Sequence, residues 1–164
     1  MKTIKKQQLT REAFNKYGTY ADMLNPAGPK MGADPVEFFR DMNQMNLGNS
    51  STVSFSICRS AKRPHVITSM EFMSGTEKTL MPLDGDMVCY LAPATPGDVP
   101  PVDEVEAFIL PKGTMITMKP GVWHAAPFCL DTDVVNMLVA TIERGYKLDN
   151  YGCDLAEEDR ITIL

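Results

Sequence analysis

A histidine directly after a tight turn is the first feature of this sequence that could do chemistry. His124 ends the segment Gly113–His124, which contains the dipeptide Pro120-Gly121. Proline fixes φ at about −65° and glycine accepts positive φ, so this dipeptide predicts a type II turn between two strands. A side chain delivered by such a turn is held in one direction, which suits a catalytic or ligand group. The same pattern also fits a hairpin with a half-buried histidine.

Alternation of apolar and polar residues predicts the strands around this turn. The predicted strands are Val53–Cys58 (ended by Arg59), His65–Met73, Leu80–Leu83, Met87–Leu91, Val105–Leu110, Gly113–Lys119 and Val134–Ile142. Asp84-Gly85 between two of them predicts a hairpin. Many short strands with few helices favour a β-sandwich or barrel.

The two ends of the chain are less regular. Thr10 can cap a short helix over Arg11–Tyr17, and Pro35–Met45 fits a short helix or an irregular arm. The tail after Gly145 is predicted to wrap the outside. We therefore expect one domain over residues 1–164, with an N-terminal helix and arm (1–50), a barrel (51–145) and a tail (146–164).

Composition excludes several classes of function. The net charge of −5 and the lack of a basic cluster argue against nucleic acid. No stretch is apolar enough to span a membrane, and the N-terminus lacks the apolar core of a signal peptide, which predicts a cytoplasmic protein with no membrane partner. The four cysteines form no Cys-x-x-Cys pair, and reduced, buried thiols are expected.

Short motifs spread along most of the chain share their order and spacing with a known family. They are Thr10-x-Glu12-Ala13-Phe14-x-x-Tyr17-Gly18, Ser56-Ile57-x-Arg59, Pro82-x-x-Gly85, Ala107-Phe108-Ile109, Val122-Trp123-His124 and Thr141-Ile142-x-Arg144-Gly145. Together they resemble the ureidoglycolate lyases, small cupins of purine (allantoin) breakdown. The resemblance implies a mostly β, single-domain, cupin-like antiparallel β-barrel (double-stranded β-helix) with a short N-terminal helix.

The resemblance also implies a function. Its members are cytoplasmic enzymes, often homodimers, that split ureidoglycolate into glyoxylate and urea, in some cases with a divalent metal such as Ni, Mn or Zn. Two rival functions stay open: a metal-independent cupin isomerase or lyase acting on another carbonyl or sugar acid, and a non-catalytic barrel that binds a small ligand. Fold alone does not choose between them.

The sequence departs from the family at the site. Glu71 is retained, but Met73 stands where the family has a histidine, Lys78 where it has a glutamine, and Ala125 where it often has a second histidine. Glu71, His124 and Glu77 remain as candidate metal ligands. A thioether is a weak donor for hard cations and an ammonium repels them, so the changes favour a site without metal.

The retained and changed residues predict a way to handle a small carboxylate-bearing substrate. His124, Glu71 and Lys78 are the candidate catalytic residues, with His124 or Glu71 taking a hydroxyl proton. The ammonium of Lys78 can replace a metal charge, and the planar fork of Arg59 suits a carboxylate. Trp123 is the candidate substrate platform, with barrel packing as its alternative.

Overall fold

The structure is a computed structural model that describes residues 2–164. Its two short helices are α1 (Arg11–Phe14) and α2 (Gly145–Leu148). Its strands are β1 (Lys2–Ile4), β2 (Lys6–Gln8), β3 (Gly18–Asp22), β4 (Lys30–Ala33), β5 (Val36–Phe39), β6 (Val53–Ala61), β7 (Val66–Ile67), β8 (Ser69–Phe72), β9 (Lys78–Pro82), β10 (Met87–Ala92), β11 (Glu106–Leu110), β12 (Thr114–Met118), β13 (Trp123–His124), β14 (Phe128–Cys129), β15 (Val134–Ile142), β16 (Tyr151–Asp154) and β17 (Ile161–Ile163).

Two sheets pack face to face and enclose the main core. The first sheet has the order β3-β12-β9-β15-β6, and the second has the order β16-β8-β13-β10-β11-β2, with β14 also paired to β10. Alternate residues of both sheets fill the space between them, among them Leu80, Ile116 and Met137 from the first and Leu91 and Phe108 from the second. This arrangement confirms the mostly β, cupin-like fold.

A smaller third sheet, β1-β17-β7, covers the outer face of the second sheet. The residues between them form a second apolar core that includes Ile67, Tyr90, Trp123 and Ile161. The second sheet is therefore apolar over much of both faces.

The two turns predicted from dipeptides have different outcomes. Gly121 has φ +81° and the N–H of Val122 donates to the carbonyl of Lys119 at 3.3 Å, so the type II turn is confirmed. However, this turn carries the chain from the first sheet to the second, and so does Asp84-Gly85, because β9 and β10 lie in different sheets. The predicted Asp84-Gly85 hairpin is therefore wrong, because the two apolar strands on either side of it, β9 and β10, are buried in the first and the second sheet respectively.

Other predicted elements need correction in their length or type. Thr10 caps α1 as predicted, but the α-helix ends at Phe14 rather than at Tyr17. Residues 36–39 form a hairpin strand with β4 and residues 40–45 are irregular, so within Pro35–Met45 the helix is wrong and the irregular arm holds only for the second half. Arg59 does not end its strand, since β6 pairs with the nine-residue β15 as far as Ala61.

The C-terminal tail is part of the sheets and does not simply wrap the outside. Strand β16 extends the second sheet beyond β8, and β17 lies between β1 and β7. All four cysteines are free thiols, with Cys89 and Cys129 buried and Cys58 and Cys153 partly exposed. No helix within residues 2–164 is long and apolar enough to cross a membrane.

Candidate active site

Three neighbouring strands place the candidate residues in one row on the inner face of the second sheet. Glu71 of β8 lies directly opposite His124 of β13 on one side and Gly152 of β16 on the other. Lys78 starts β9 in the facing sheet, and its Nζ reaches Oε1 of Glu71 at 2.8 Å. The structure therefore brings Glu71, Lys78 and His124 together.

The hydrogen bonds of His124 define its tautomer. The side chain is only 3% exposed, and Nδ1 lies 2.9 Å from the carbonyl oxygen of Val122. A carbonyl oxygen can only accept, so Nδ1 carries the proton of the neutral ring and Nε2 carries a lone pair. Nε2 is buried with no hydrogen-bond partner in residues 2–164 and lies 3.7 Å from Oε1 of Glu71. A base without a partner therefore faces the site.

The segment between α2 and β16 holds Glu71 from the other side. Asn150 donates its amide to Oε2 of Glu71 at 3.1 Å. Its neighbour Asp149 accepts hydrogen bonds from the loop before β9, from the N–H and hydroxyl of Ser74, the N–H of Gly75 and the hydroxyl of Thr76. Both the carboxylate and the loop that leads to Lys78 are thus fixed by one dipeptide.

The electrostatics of the cluster favour a charged pair next to a neutral imidazole. Burial by itself would raise the pKa of Glu71, but the charge and hydrogen bond of Lys78, with smaller contributions from His124 and Asn150, hold that pKa below its usual range. Burial and the charge of Lys78 lower the pKa of His124 to about 4, against a smaller opposing effect of Glu71. At neutral pH the cluster holds one carboxylate, one ammonium and one neutral imidazole.

Two cavities share Glu71 and Ala125 in their lining. We call the first the inner chamber; it has a volume of about 120 Å³ and is lined by Cys58, Glu71, Lys78, Leu80, His124, Ala125, Ala126, Pro127, Met137 and Val139. We call the second the outer chamber; it has a volume of about 240 Å³ and is lined by Ser69, Met70, Glu71, Ala125, Gly152, Cys153 and Asp154. A larger cleft of about 810 Å³ lies under residues 41–46 and contains no histidine or lysine.

Arg59 and Trp123 lie away from both chambers. Arg59 is exposed on the outer face of the first sheet, where its guanidinium donates to the side chain of Asn136 at 3.3 Å. The neighbouring residue Cys58 is the one that faces the inner chamber, because side chains alternate along a strand. Trp123 points into the second core and packs against Phe72 with a ring-centroid distance of 4.6 Å. The structure therefore gives Trp123 a packing position and leaves Lys78 as the cation of the site.

The residues present do not form a metal site. Glu71 and His124 come together, but the carboxylate of Glu77 accepts the backbone N–H of Asn46 at 2.6 Å, outside the two chambers. Within residues 2–164 no group of three His, Cys, Asp or Glu residues is placed to hold a metal ion. The Lys78 ammonium at 2.8 Å from Glu71 further disfavours a cation at that carboxylate.

Sequence reasoning missed the residues that complete the site. Asn150, Asp149 and Gly152 lie in the tail that was expected to wrap the outside, and Ser69 and Asp154 face each other across β8 and β16. The only local signal was the turn-forming run from Asp149 to Gly152, which indicates a change of direction but no contact with Glu71.

Comparison with known proteins agrees with this geometry at the level of fold and family. A dTDP sugar isomerase from Desulfovibrio desulfuricans G20 aligns with a TM-score of 0.50 and 11% identity over 87% of both chains. A dTDP-6-deoxy-D-glucose-3,5-epimerase from Legionella pneumophila aligns with a TM-score of 0.48 and 12% identity, over 79% of this chain and 70% of that one. At such low identity, the likeness to the sugar isomerase concerns the fold alone.

No curated protein sequence matches this chain at a significant level. The profile of the family "Ureidoglycolate lyase", in contrast, matches residues 1–158 of the 164. The match spans both chambers, including Glu71, Lys78, His124 and the tail residues that hold them. The chain therefore belongs to the ureidoglycolate lyase family and has a cupin-like fold.

Proposed function

We propose that this protein is a lyase that splits ureidoglycolate, or a closely related small hydroxy acid, at its carbon–nitrogen bond. The observation that carries the proposal is the unpartnered Nε2 of buried His124, which faces a small chamber beside the Glu71–Lys78 ion pair. Family membership supports the products, glyoxylate and urea, together with the cytoplasm as location and allantoin breakdown as pathway.

The inner chamber selects the acid end of the substrate. An ammonium has three N–H donors, and Glu71 uses one of those of Lys78. The remaining donors can bind a carboxylate, and among residues 2–164 Lys78 is the only cation that lines the chamber. A volume of about 120 Å³ suits an acid of a few carbon atoms and is too small for a nucleotide sugar.

His124 is placed to move the proton that the reaction requires. Its Nε2 takes the hydroxyl proton of the substrate, the oxygen forms the aldehyde carbonyl, and the carbon–nitrogen bond breaks. The imidazolium, stabilised by the Glu71 carboxylate, then gives the same proton to the departing urea nitrogen. Since the pKa of His124 is about 4, its imidazolium is a strong acid toward that nitrogen.

This mechanism uses the charge of Lys78 where other cupins use a metal. The ammonium neutralises the carboxylate of the substrate and lies in a partly buried site, where a fixed charge is more effective than in water. No step in the sequence needs a Lewis acid, because the hydroxyl proton passes to a nitrogen base.

We expect the purified protein to release urea and glyoxylate in equal amounts from ureidoglycolate, with the same rate before and after treatment with EDTA. The measurement is a coupled assay of both products, together with metal analysis of the treated protein. Cleavage that stops with EDTA and returns with Mn, Ni or Zn would refute the metal-independent mechanism. Absence of both products under all conditions would refute the lyase proposal itself.

One observation favours a second candidate, a metal-independent cupin isomerase or lyase acting on another carbonyl or sugar acid. The wall of the inner chamber that faces His124 is apolar, with Leu80, Met137 and Val139 among its residues. A polar group buried against such a wall loses its hydrogen bonds to water without replacement. If ureidoglycolate is not cleaved, the assay that identifies this alternative uses small 2-keto acids. It measures the exchange with deuterium of the hydrogen on the carbon next to the keto group. Binding of these acids without exchange would instead identify a non-catalytic binding protein.

We also propose that the protein is a homodimer, joined through the outer face of β6. Phe55 and Ile57 on this face are 66% and 56% exposed, and β6 is an edge strand of nine residues. Exposed apolar rows on an edge strand mark association surfaces.

We expect light scattering to give the mass of a dimer for the protein and of a monomer for the double variant Phe55→Asp/Ile57→Asp. Val99→Asp, at an isolated residue that is 75% exposed, is the control and should remain dimeric; a monomeric wild type would refute the proposal.

A further inference from the structure

The outer chamber has a polarity opposite to that of the inner chamber. Ser69 and Asp154 lie directly opposite each other across β8 and β16, two residues along from the Glu71–Gly152 pair. Residues two apart share one face of a strand, so all four positions border the same space. The carboxylate of Asp154 therefore lies at the outer end of the site, whereas the ammonium of Lys78 lies at the inner end.

The polar side chains of the outer chamber are free to bind a ligand. Neither the hydroxyl of Ser69 nor the carboxylate of Asp154 makes a side-chain hydrogen bond or ion pair within residues 2–164. By contrast, the nearby Asn150 already donates a hydrogen bond to Glu71. The free groups are one acceptor with negative charge and one hydroxyl, a pair that suits a ligand with several N–H donors.

Gly152 leaves space beside Glu71 in the outer chamber. A Cβ at this position would lie 3.1 Å from the carbonyl oxygen of Met70 and 3.2 Å from Cβ of Glu71, closer than ordinary contact. Any side chain here would crowd Glu71, which lines both chambers. The absence of a side chain therefore leaves space in the outer chamber beside the Glu71 carboxylate.

We propose that the outer chamber is the site for the nitrogen-bearing part of the substrate, with Asp154 and Ser69 as the residues that determine specificity for a ureido or similar N–H-rich group. This inference rests on the proposed function and adds the orientation of the substrate. Two residues along a strand span about 7 Å, the length of a ureido group plus one hydrogen bond. Asp154 repels a carboxylate and accepts N–H donors, so the acid end is directed inward to Lys78.

The orientation also gives an order of product release. The reacting carbon lies at the junction near His124, with the two-carbon acid inside and the nitrogen group outside. Once the carbon–nitrogen bond breaks, urea is in the outer chamber, which opens to solvent, and glyoxylate is behind it. Urea therefore leaves first, and free urea can occupy the outer chamber while glyoxylate is still bound.

The test uses two ligands that cannot react, so that binding is measured apart from catalysis. N-carbamoylglycine carries the carboxylate and the ureido group but no hydroxyl, and glycolate carries the carboxylate and hydroxyl but no ureido group. We expect Asp154→Asn to weaken binding of N-carbamoylglycine about tenfold, as for the loss of a charged hydrogen bond. Ser69→Ala should weaken it less, and both variants should bind glycolate within about twofold of the wild type.

Glu158→Gln, at an exposed carboxylate that makes no ion pair within residues 2–164, is the matched control and should change neither affinity. Equal weakening of both ligands by Asp154→Asn, or unchanged binding of N-carbamoylglycine, would overturn the inference. The result is separate from that of the lyase assay. The wild type could fail to cleave ureidoglycolate while Asp154→Asn selectively weakens binding of N-carbamoylglycine. In that case the assignment of the outer chamber is supported and only the proposed reaction is refuted.

Discussion

Replacing His124 by glutamine is expected to lower kcat for ureidoglycolate cleavage by about 10²- to 10⁴-fold, the usual contribution of a positioned acid–base group. The reason is that Nε2 of His124 carries a buried lone pair without a partner, and no other unpaired base among residues 2–164 lines the inner chamber. A glutamine amide fills a similar space but cannot shuttle a proton. Because Lys78 still binds the acid end, KM should change by no more than a few-fold. Full activity in this variant would remove His124 from the mechanism.

The same variant has a folding control with its own expected result. The folded-state pKa of His124 is about 4 and the ordinary value is 6.5, so the unfolded chain takes up a proton in this range and the folded protein does not. Stability present above pH 6.5 is therefore lost as the pH falls, by about 3 kcal/mol by pH 4. Urea denaturation at pH 7 and pH 5 should show about 2 kcal/mol of this loss in the wild type and a smaller loss in His124→Gln. If the free energy of unfolding falls by the same amount between pH 7 and pH 5 in the two proteins, His124 is not held neutral in the folded state.

Replacing Lys78 by methionine is expected to raise KM for ureidoglycolate by about 10- to 100-fold, since a hydrogen-bonded charge pair contributes about 1.5–3 kcal/mol. In the part of the chain that the structure describes, Lys78 is the only cation lining the inner chamber, and its side chain is 15% exposed. Lys78→Arg keeps the charge and should recover part of the affinity. Lys112→Met, at an exposed lysine that makes no ion pair within residues 2–164, is the control and should leave KM unchanged.

A double-mutant cycle separates the binding role of Lys78 from its pairing with Glu71. Lys78→Met leaves the Glu71 carboxylate, which is 30% exposed, without its counter-ion. Adding Glu71→Gln should restore part of the lost stability, with a coupling energy of about 0.5–3 kcal/mol by chemical denaturation. The double variant should nevertheless keep the high KM. Recovery of KM together with stability would show that Lys78 acts on the fold alone.

Several features could be predicted because they depend on local patterns. The period-two alternation predicted the strand Val134–Ile142 with its observed ends, and the hydroxyl of Thr10 caps α1 as expected. Pro120-Gly121 predicted a type II turn, since proline at the second position and glycine at the third both favour its backbone angles. The family resemblance placed Glu71, Lys78 and His124 in one site, and the structure brings them into contact.

Other features could not be predicted because they depend on which layer each strand joins. Asp84-Gly85 has the local chemistry of a hairpin turn, yet β9 and β10 pair with strands far apart in sequence. Likewise, a shift of one residue turns every side chain of a strand to the other face. For this reason the sequence could not show that Cys58, and not Arg59, faces the chamber.

By itself, the sequence determined the strand-rich class, the capped helix, the turn before His124 and the types of side chain available for chemistry, because these follow from periodicity and backbone preference. Only the tertiary structure decided that Lys78 points inward to Glu71, that Glu77 lies apart, and that the tail supplies Asn150, Gly152 and Asp154. These placements result from pairing between strands separated by tens of residues, where burial of apolar surface chooses the register and local sequence carries no signal.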